Sequence, residues 1–151
     1  MKRTRKDAYN TSNEIKEVAL SRFRNTEYNK LLSDVNRQKD AQDLINYLCS
    51  KFRIPLIPVI VSNKPQPHST DYNGKLRKKT LGTYTYGINT KITIYNVTAI
   101  KKQEVSIKTF AETLLHEFIH HYDMSYLKLG SSPHTSGFYK RISDLEKKLS
   151  K

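Results

Sequence analysis

The sequence predicts a small α+β domain: a short antiparallel or mixed sheet of about three strands packed on one long helix, with helices before it and a helix after it. Three observations carry this. Apolar residues recur at spacings of three and four over residues 40 to 52, 107 to 122 and 137 to 149, as on helices with one buried face. Between the first two of these segments, short runs alternate in period two, as half-buried strands do. The 151 residues suit one core and are too few for two well-buried ones.

Along the chain, residues 1 to 12 lack periodicity and read as a flexible basic tail, leaving residues 13 to 151 as a single domain. Residues 26 to 36 read as a short helix. From 40 to 52, Ala41, Leu44, Ile45, Leu48, Cys49 and Phe52 share one face, with Asp40 placed as N-cap and Pro55 just past the end. Cys49 on that face is a packed core thiol, not a nucleophile. The run Ile-Pro-Val-Ile-Val-Ser at 57 to 62 predicts a strand. Residues 63 to 79, with two prolines, Asn73-Gly74 and a basic cluster, read as a loop. Thr-Tyr-Thr-Tyr at 83 to 86 and Lys-Ile-Thr-Ile-Tyr-Asn at 91 to 96 then form an antiparallel hairpin. The longest helix follows, with Ile107, Phe110, Ala111, Leu114, Leu115, Phe118, Ile119 and Tyr122 as its stripe. Thr109 with Glu112 offers a capping box, and Gly130 a stop. A last helix carries Phe138, Ile142, Leu145 and Leu149 on one face.

Composition narrows the class. One cysteine can form neither an internal disulfide nor a zinc ribbon. The charged start is not followed by the apolar run of a signal peptide, and no segment is long enough to span a bilayer, so the expected setting is soluble, cytoplasmic and without membrane contact. Lys and Arg outnumber Asp and Glu by 27 to 14, a formal charge of +13 that attracts polyanions. The basic residues are scattered over Lys2 to Lys6, Lys75 to Lys79, Lys101, Lys102, Lys140 and Arg141. DNA contact through a basic surface is thus open, and oligomeric state is unspecified.

Four of the five histidines lie between Thr113 and Phe138. On the long helix, His116 and His120 are one turn apart, with directions differing by roughly 40°, so both imidazoles can reach one zinc ion. Glu117 sits about 100° further round, free to act as general base on a water held by the metal. This is the His-Glu-x-x-His arrangement of zinc hydrolases. The competing reading is a polar helix whose histidines face solvent. A catalytic zinc takes a third protein ligand and keeps a fourth position open. His134 is the favoured third ligand, and Asp123 is its rival or a partner of a ligand histidine. Metalloproteases with the third histidine six residues after the second are excluded, since Tyr126 stands there. His121 reads as a surface residue or a partner of the site, and His68 as bland. Tyr122, Tyr126 and Tyr139 are candidates to stabilise an oxyanion, against a plain core role.

His-Glu-Phe-Ile-His at 116 to 120, Pro-His-Thr-Ser-Gly-Phe at 133 to 138 and the hairpin just before the helix together resemble the SprT-like, Spartan-type zinc metalloproteases of the zincin class. The resemblance covers roughly residues 41 to 145. It implies a zincin-like domain, Zn2+ held by His116, His120 and His134, Glu117 as catalytic base, and a protein or peptide substrate associated with DNA. This chain has Pro133-His134-Thr135 where that family usually has Gly-His-Gly, and no zinc ribbon. The alternative from another class is a non-catalytic, zinc-stabilised nucleic-acid-binding module.

Overall fold

The structure, a computed structural model, describes residues 4–21 and 25–150. It is an α+β domain in the order α1 (Arg5–Glu14), α2 (Thr26–Leu32), α3 (Arg37–Phe52), β1 (Val59–Pro65), β2 (His68–Thr70), β3 (Leu76–Lys79), β4 (Gly82–Thr85), β5 (Lys91–Val97), α4 (Ile107–Ser125) and α5 (Ser136–Leu149). Strands β1, β5 and β4 form a mixed sheet in that order, with β5 parallel to β1 and antiparallel to β4. Burial along β5 alternates, with Ile92, Ile94 and Asn96 turned inward. Opposite them α4 presents Phe110, Leu114, Phe118 and Ile119, and α3 adds Leu44, Ile45, Leu48 and Phe52 to the same core.

Helix α3 starts at Arg37, before the predicted segment, and α4 starts at Ile107, the head of the predicted stripe, with its cap ahead of the one expected. Asn36, not Asp40, caps α3, its side chain accepting from the Lys39 amide at 3.1 Å. Ser106, not Thr109, caps α4, accepting from the Thr109 amide at 3.2 Å. The added turn of α3 is polar and works at its edges. Arg37 donates to Asn96 Oδ1 and the Val105 carbonyl, tying the helix to the end of β5 and the approach to α4. Gln38 and Gln42 each use both ends of their amides on β1 and the approach to it: Gln38 on the Val59 carbonyl and Val61 amide, Gln42 on the Ile57 carbonyl and Val59 amide. Side-chain amides thereby occupy the outer edge of β1. The sheet's other edge, β4, is left facing outward.

The segment from 63 to 79, expected as a loop, contains the antiparallel pair β2–β3. Neither face of that ribbon is buried, so no apolar alternation marked it. At its tip Asp71 accepts from the amides of Asn73 and Lys75, and Gly74 has φ +79°.

The expected tail is the larger departure. Residues 1–3 lie outside the described part, but Arg5–Glu14 is a helix capped by Thr4. Its pattern escaped notice because it buries only Ala8 and Ser12. What holds it is polar: Arg141 of α5, fully buried, donates to the main-chain oxygens of Ser12 and Ile15 and to Ser12 Oγ. The two helices touch closely at Gly137, where a Cβ would run into the Ser12 and Asn13 carbonyl oxygens.

Gly→Ala in a helix is ordinarily stabilising by about 1 kcal/mol. Here the added methyl meets main chain, so Gly137→Ala is expected to lower stability by about 2 kcal/mol, read from urea unfolding. A gain in stability would contradict the close α1–α5 contact.

Candidate metal centre

Helix α4 carries the first part of the site. His116 and His120 lie on its cleft side with ring centroids 5.1 Å apart, while Leu115, Phe118 and Ile119 hold its other side in the core. After α4 the chain turns back through Lys128 and Gly130, both at positive φ, with Leu129 buried beneath them. Thr135 then caps α5, accepting from the Phe138 amide at 3.0 Å, and its hydroxyl meets Ser12 Oγ of α1 at 2.8 Å. His134, immediately before that cap, is thus fixed from both sides.

The result is convergence. His134 Nε2 lies 3.0 Å from His120 Nε2 and 3.3 Å from His116 Nε2. Tetrahedral bonds of 2.0–2.1 Å to one ion set nitrogens about 3.3 Å apart, so the donor set fits a zinc-sized cation. These three form the described histidine, cysteine and acidic group whose ligand atoms all lie within 4.8 Å of one another. Burial, together with the neighbouring His134, drives His116 down to about 4. Burial, then His116 and His134, drives His120 down to about 3. Both rings are therefore neutral near pH 7, the form that binds metals. The Phe138 ring underlies all three imidazoles, at centroid distances of 5.0, 4.6 and 5.1 Å from His116, His120 and His134.

Glu117 is 6% exposed, with Oε1 4.0 Å from His116 Nε2, and burial raises its carboxyl to about 7. A carboxylate poised there is a competent proton acceptor. Glu117 and the three histidines line a cleft of about 790 Å³ whose opposite wall is Leu81 to Tyr84, at and just before β4. Gly82 lets β4 approach α4 closely: a Cβ there would lie 2.9 Å from Thr113 Cγ2 and 2.9 Å from the Thr93 oxygen.

Asp123 does not join the ligands. It is fully buried, its Oδ1 and Oδ2 receiving Nε and Nη2 of Arg141 at 3.1 and 2.8 Å. Burial pushes its carboxyl upward, opposed by Arg141 and by the Ser132 hydroxyl, which donates to Oδ2 at 2.8 Å. Ser132 Oγ in turn lies 2.7 Å from His120 Nδ1. Asp123 therefore reaches His120 through one intervening hydroxyl.

His121 is buried rather than at the surface: its Nε2 bonds the Pro55 carbonyl at 2.8 Å and its Nδ1 the Tyr84 hydroxyl at 3.0 Å. It pins Tyr84 of β4, whose ring stacks 6.3 Å from that of His120. Of the tyrosines singled out, Tyr122 is buried with its hydroxyl accepting from the Ala19 amide, and Tyr126 stacks on it at 4.8 Å. Tyr139 reaches the site, half exposed, with its ring 5.9 Å from that of His134. His68 is exposed on β2, outside the cluster. Among the basic residues Arg141 belongs to the interior, not to any surface for polyanions, whereas Lys79 lines the cleft.

Ser132 is not singled out by the sequence, and Arg141 counts there only among the basic residues, not as an interior group. Arg141 left a signal: a charge three residues after Phe138 and four before Leu145, inside an apolar stripe. Ser132 left none. Comparison with family models, curated proteins and solved structures gives no match to this chain.

With its ordinary value at 4.5 and its buried value near 7, the Glu117 carboxyl favours the protonated form in the fold. Its stabilising contribution is complete below pH 4.5 and lost as pH rises through 7. Metal-free Glu117→Gln is accordingly expected to exceed metal-free wild type in stability by on the order of 2 kcal/mol at pH 8, the gap closing toward pH 4.5. Urea unfolding in the presence of a chelator checks this. A gap that does not vary with pH would contradict the buried carboxyl.

Proposed function

We propose that this chain is a zinc-dependent metalloendopeptidase of the SprT-like, zincin type. One observation carries the reading: the imidazoles of His116, His120 and His134 bring their Nε2 atoms together, with the buried Glu117 carboxyl beside them on an open cleft. His116, His120 and His134 would hold the ion, and three protein ligands leave the vacancy that catalysis needs. A zinc ion held there would supply Lewis acidity, lowering the pKa of water toward 7 and polarising a peptide carbonyl.

The chain's own groups supply the rest. Glu117 accepts the proton of the attacking water and passes it to the leaving amine, a role its raised proton affinity suits. The outward edge of β4, beside the ligands, offers main-chain donors and acceptors to an extended peptide, giving affinity with little sequence selectivity. Tyr139 is the tyrosine we assign to oxyanion stabilisation, since Tyr122 is closed in the core.

DNA-associated proteins are the proposed substrates. The β3 strand carries Arg77, Lys78 and Lys79 and ends at the cleft, so a polyanion on this ribbon would lie beside the peptide path. Among the described residues no helix is long and apolar enough to cross a membrane, and we place the protein in the cytoplasm.

Zinc content and casein cleavage, with and without single-stranded DNA, test the reading. Wild type is expected to hold about one zinc and to cleave. Glu117→Gln should keep the zinc and lose about 100-fold or more in kcat. His134→Ala should lose both metal and activity. Full proteolysis by zinc-loaded Glu117→Gln would overturn the mechanism. Zinc removal that unfolds the chain, with no cleavage at any stage, would favour a structural site in a nucleic-acid-binding module.

A further inference from the structure

The three imidazoles are not held alike. Among the described residues, His120 is the ligand whose second nitrogen is tied by the protein: Nδ1 lies 2.7 Å from Ser132 Oγ. The directions of the hydrogen bonds can be deduced from the far end. Arg141, fully buried, is a donor only, and it meets Asp123 through two nitrogens on two oxygens. Both Asp123 oxygens thus face N–H donors of that guanidinium and accept there, leaving neither oxygen to donate toward Ser132. The single proton of the Ser132 hydroxyl therefore goes to Asp123 Oδ2, at 2.8 Å. That leaves the Ser132 oxygen as an acceptor toward His120, so Nδ1 must carry the imidazole proton. The lone pair is then on Nε2, the atom that faces His134 Nε2 at 3.0 Å.

We propose that Ser132 is a positioning residue for the metal, relaying the buried Asp123 carboxylate to His120 so that one tautomer and one ring orientation present Nε2 to the ion. It rests on the metal-site reading above and goes beyond it. The relay has a second consequence for how the site is assembled. Arg141 also holds the Ser12 and Ile15 carbonyls, so docking of α1 and orientation of His120 share one guanidinium. Ser132 itself comes from the returning loop that delivers His134 two residues later. One loop thus supplies the third ligand and orients the second.

The test separates the relay from the metal site. Ser132→Ala removes the hydroxyl while leaving Asp123 paired with Arg141, so the fold is expected to survive, which unfolding of the metal-free protein checks. Ser132→Thr restores the hydroxyl. Zinc dissociation constants, measured by competition with a chromophoric chelator, are expected to weaken 10- to 100-fold in Ser132→Ala and to stay within about threefold of wild type in Ser132→Thr. In the zinc-free wild type, long-range 1H–15N spectra should show the His120 ring protonated on Nδ1, a preference lost in Ser132→Ala. Wild-type zinc affinity in Ser132→Ala, or equal weakening in both variants, would overturn the relay while leaving the metal site standing. A wild type that binds no zinc would overturn the metal site, and the relay with it.

Discussion

A guanidinium with no exposed surface organises the half of this domain that holds the site. Arg141 reaches from α5 to Asp123 on α4 and to the last turn and exit of α1, each contact being a hydrogen bond from the guanidinium to an oxygen. Removing one partner of such a pair strands the other charge and costs about 3–5 kcal/mol, whereas replacing the whole cluster by apolar groups is often neutral. Net stability is thus a weak reason for its presence. Directionality is a stronger one: an apolar contact would let α1, α5 and the returning loop slide, and a forked donor does not.

That rigidity is what a three-histidine centre needs. Two ligands on one helix come into line through helical geometry alone, but the third must be carried back from a loop with its ring aimed to within a few tenths of an ångström. Here the returning loop is anchored at both ends of its last stretch. Ser132 bonds Asp123, and Thr135 both caps α5 and meets Ser12. The Phe138 ring closes the underside. On the opposite wall, His121 and Tyr84 fix β4 against α4, and Gly82 allows the approach. The sheet is asymmetric in the same sense, with glutamine amides covering the edge at β1 and the edge at β4 turned to the cleft.

Much of this was legible in the chain. The α4 stripe, the hairpin of β4 and β5 and the i, i+4 histidines with Glu117 between them are local patterns, and local geometry suffices to read them. His134 needed one further step, the turn at Gly130. What escaped reading depends on partners far along the chain. The α1 helix buries too little apolar surface to show a period, because it is held by Arg141 more than a hundred residues away. The β2–β3 ribbon has no inward face to alternate. Asn36 starts a polar turn of α3, ahead of its apolar spacing, and Ser106 competes as a cap with the Thr109–Glu112 pair a few residues on. Ser132, a small polar residue in a loop, acquires its role from two neighbours that only folding assembles.

The central claim is that three imidazoles hold one metal ion and leave it accessible. X-ray absorption at the zinc edge of the purified, zinc-loaded protein measures this directly. The expected spectrum has three histidine nitrogens at about 2.0–2.1 Å and one further light-atom ligand that is exchanged by a small anion or a hydroxamate. A shell containing fewer than three imidazoles, or one completed by a fourth protein side chain and inert to such ligands, would contradict it.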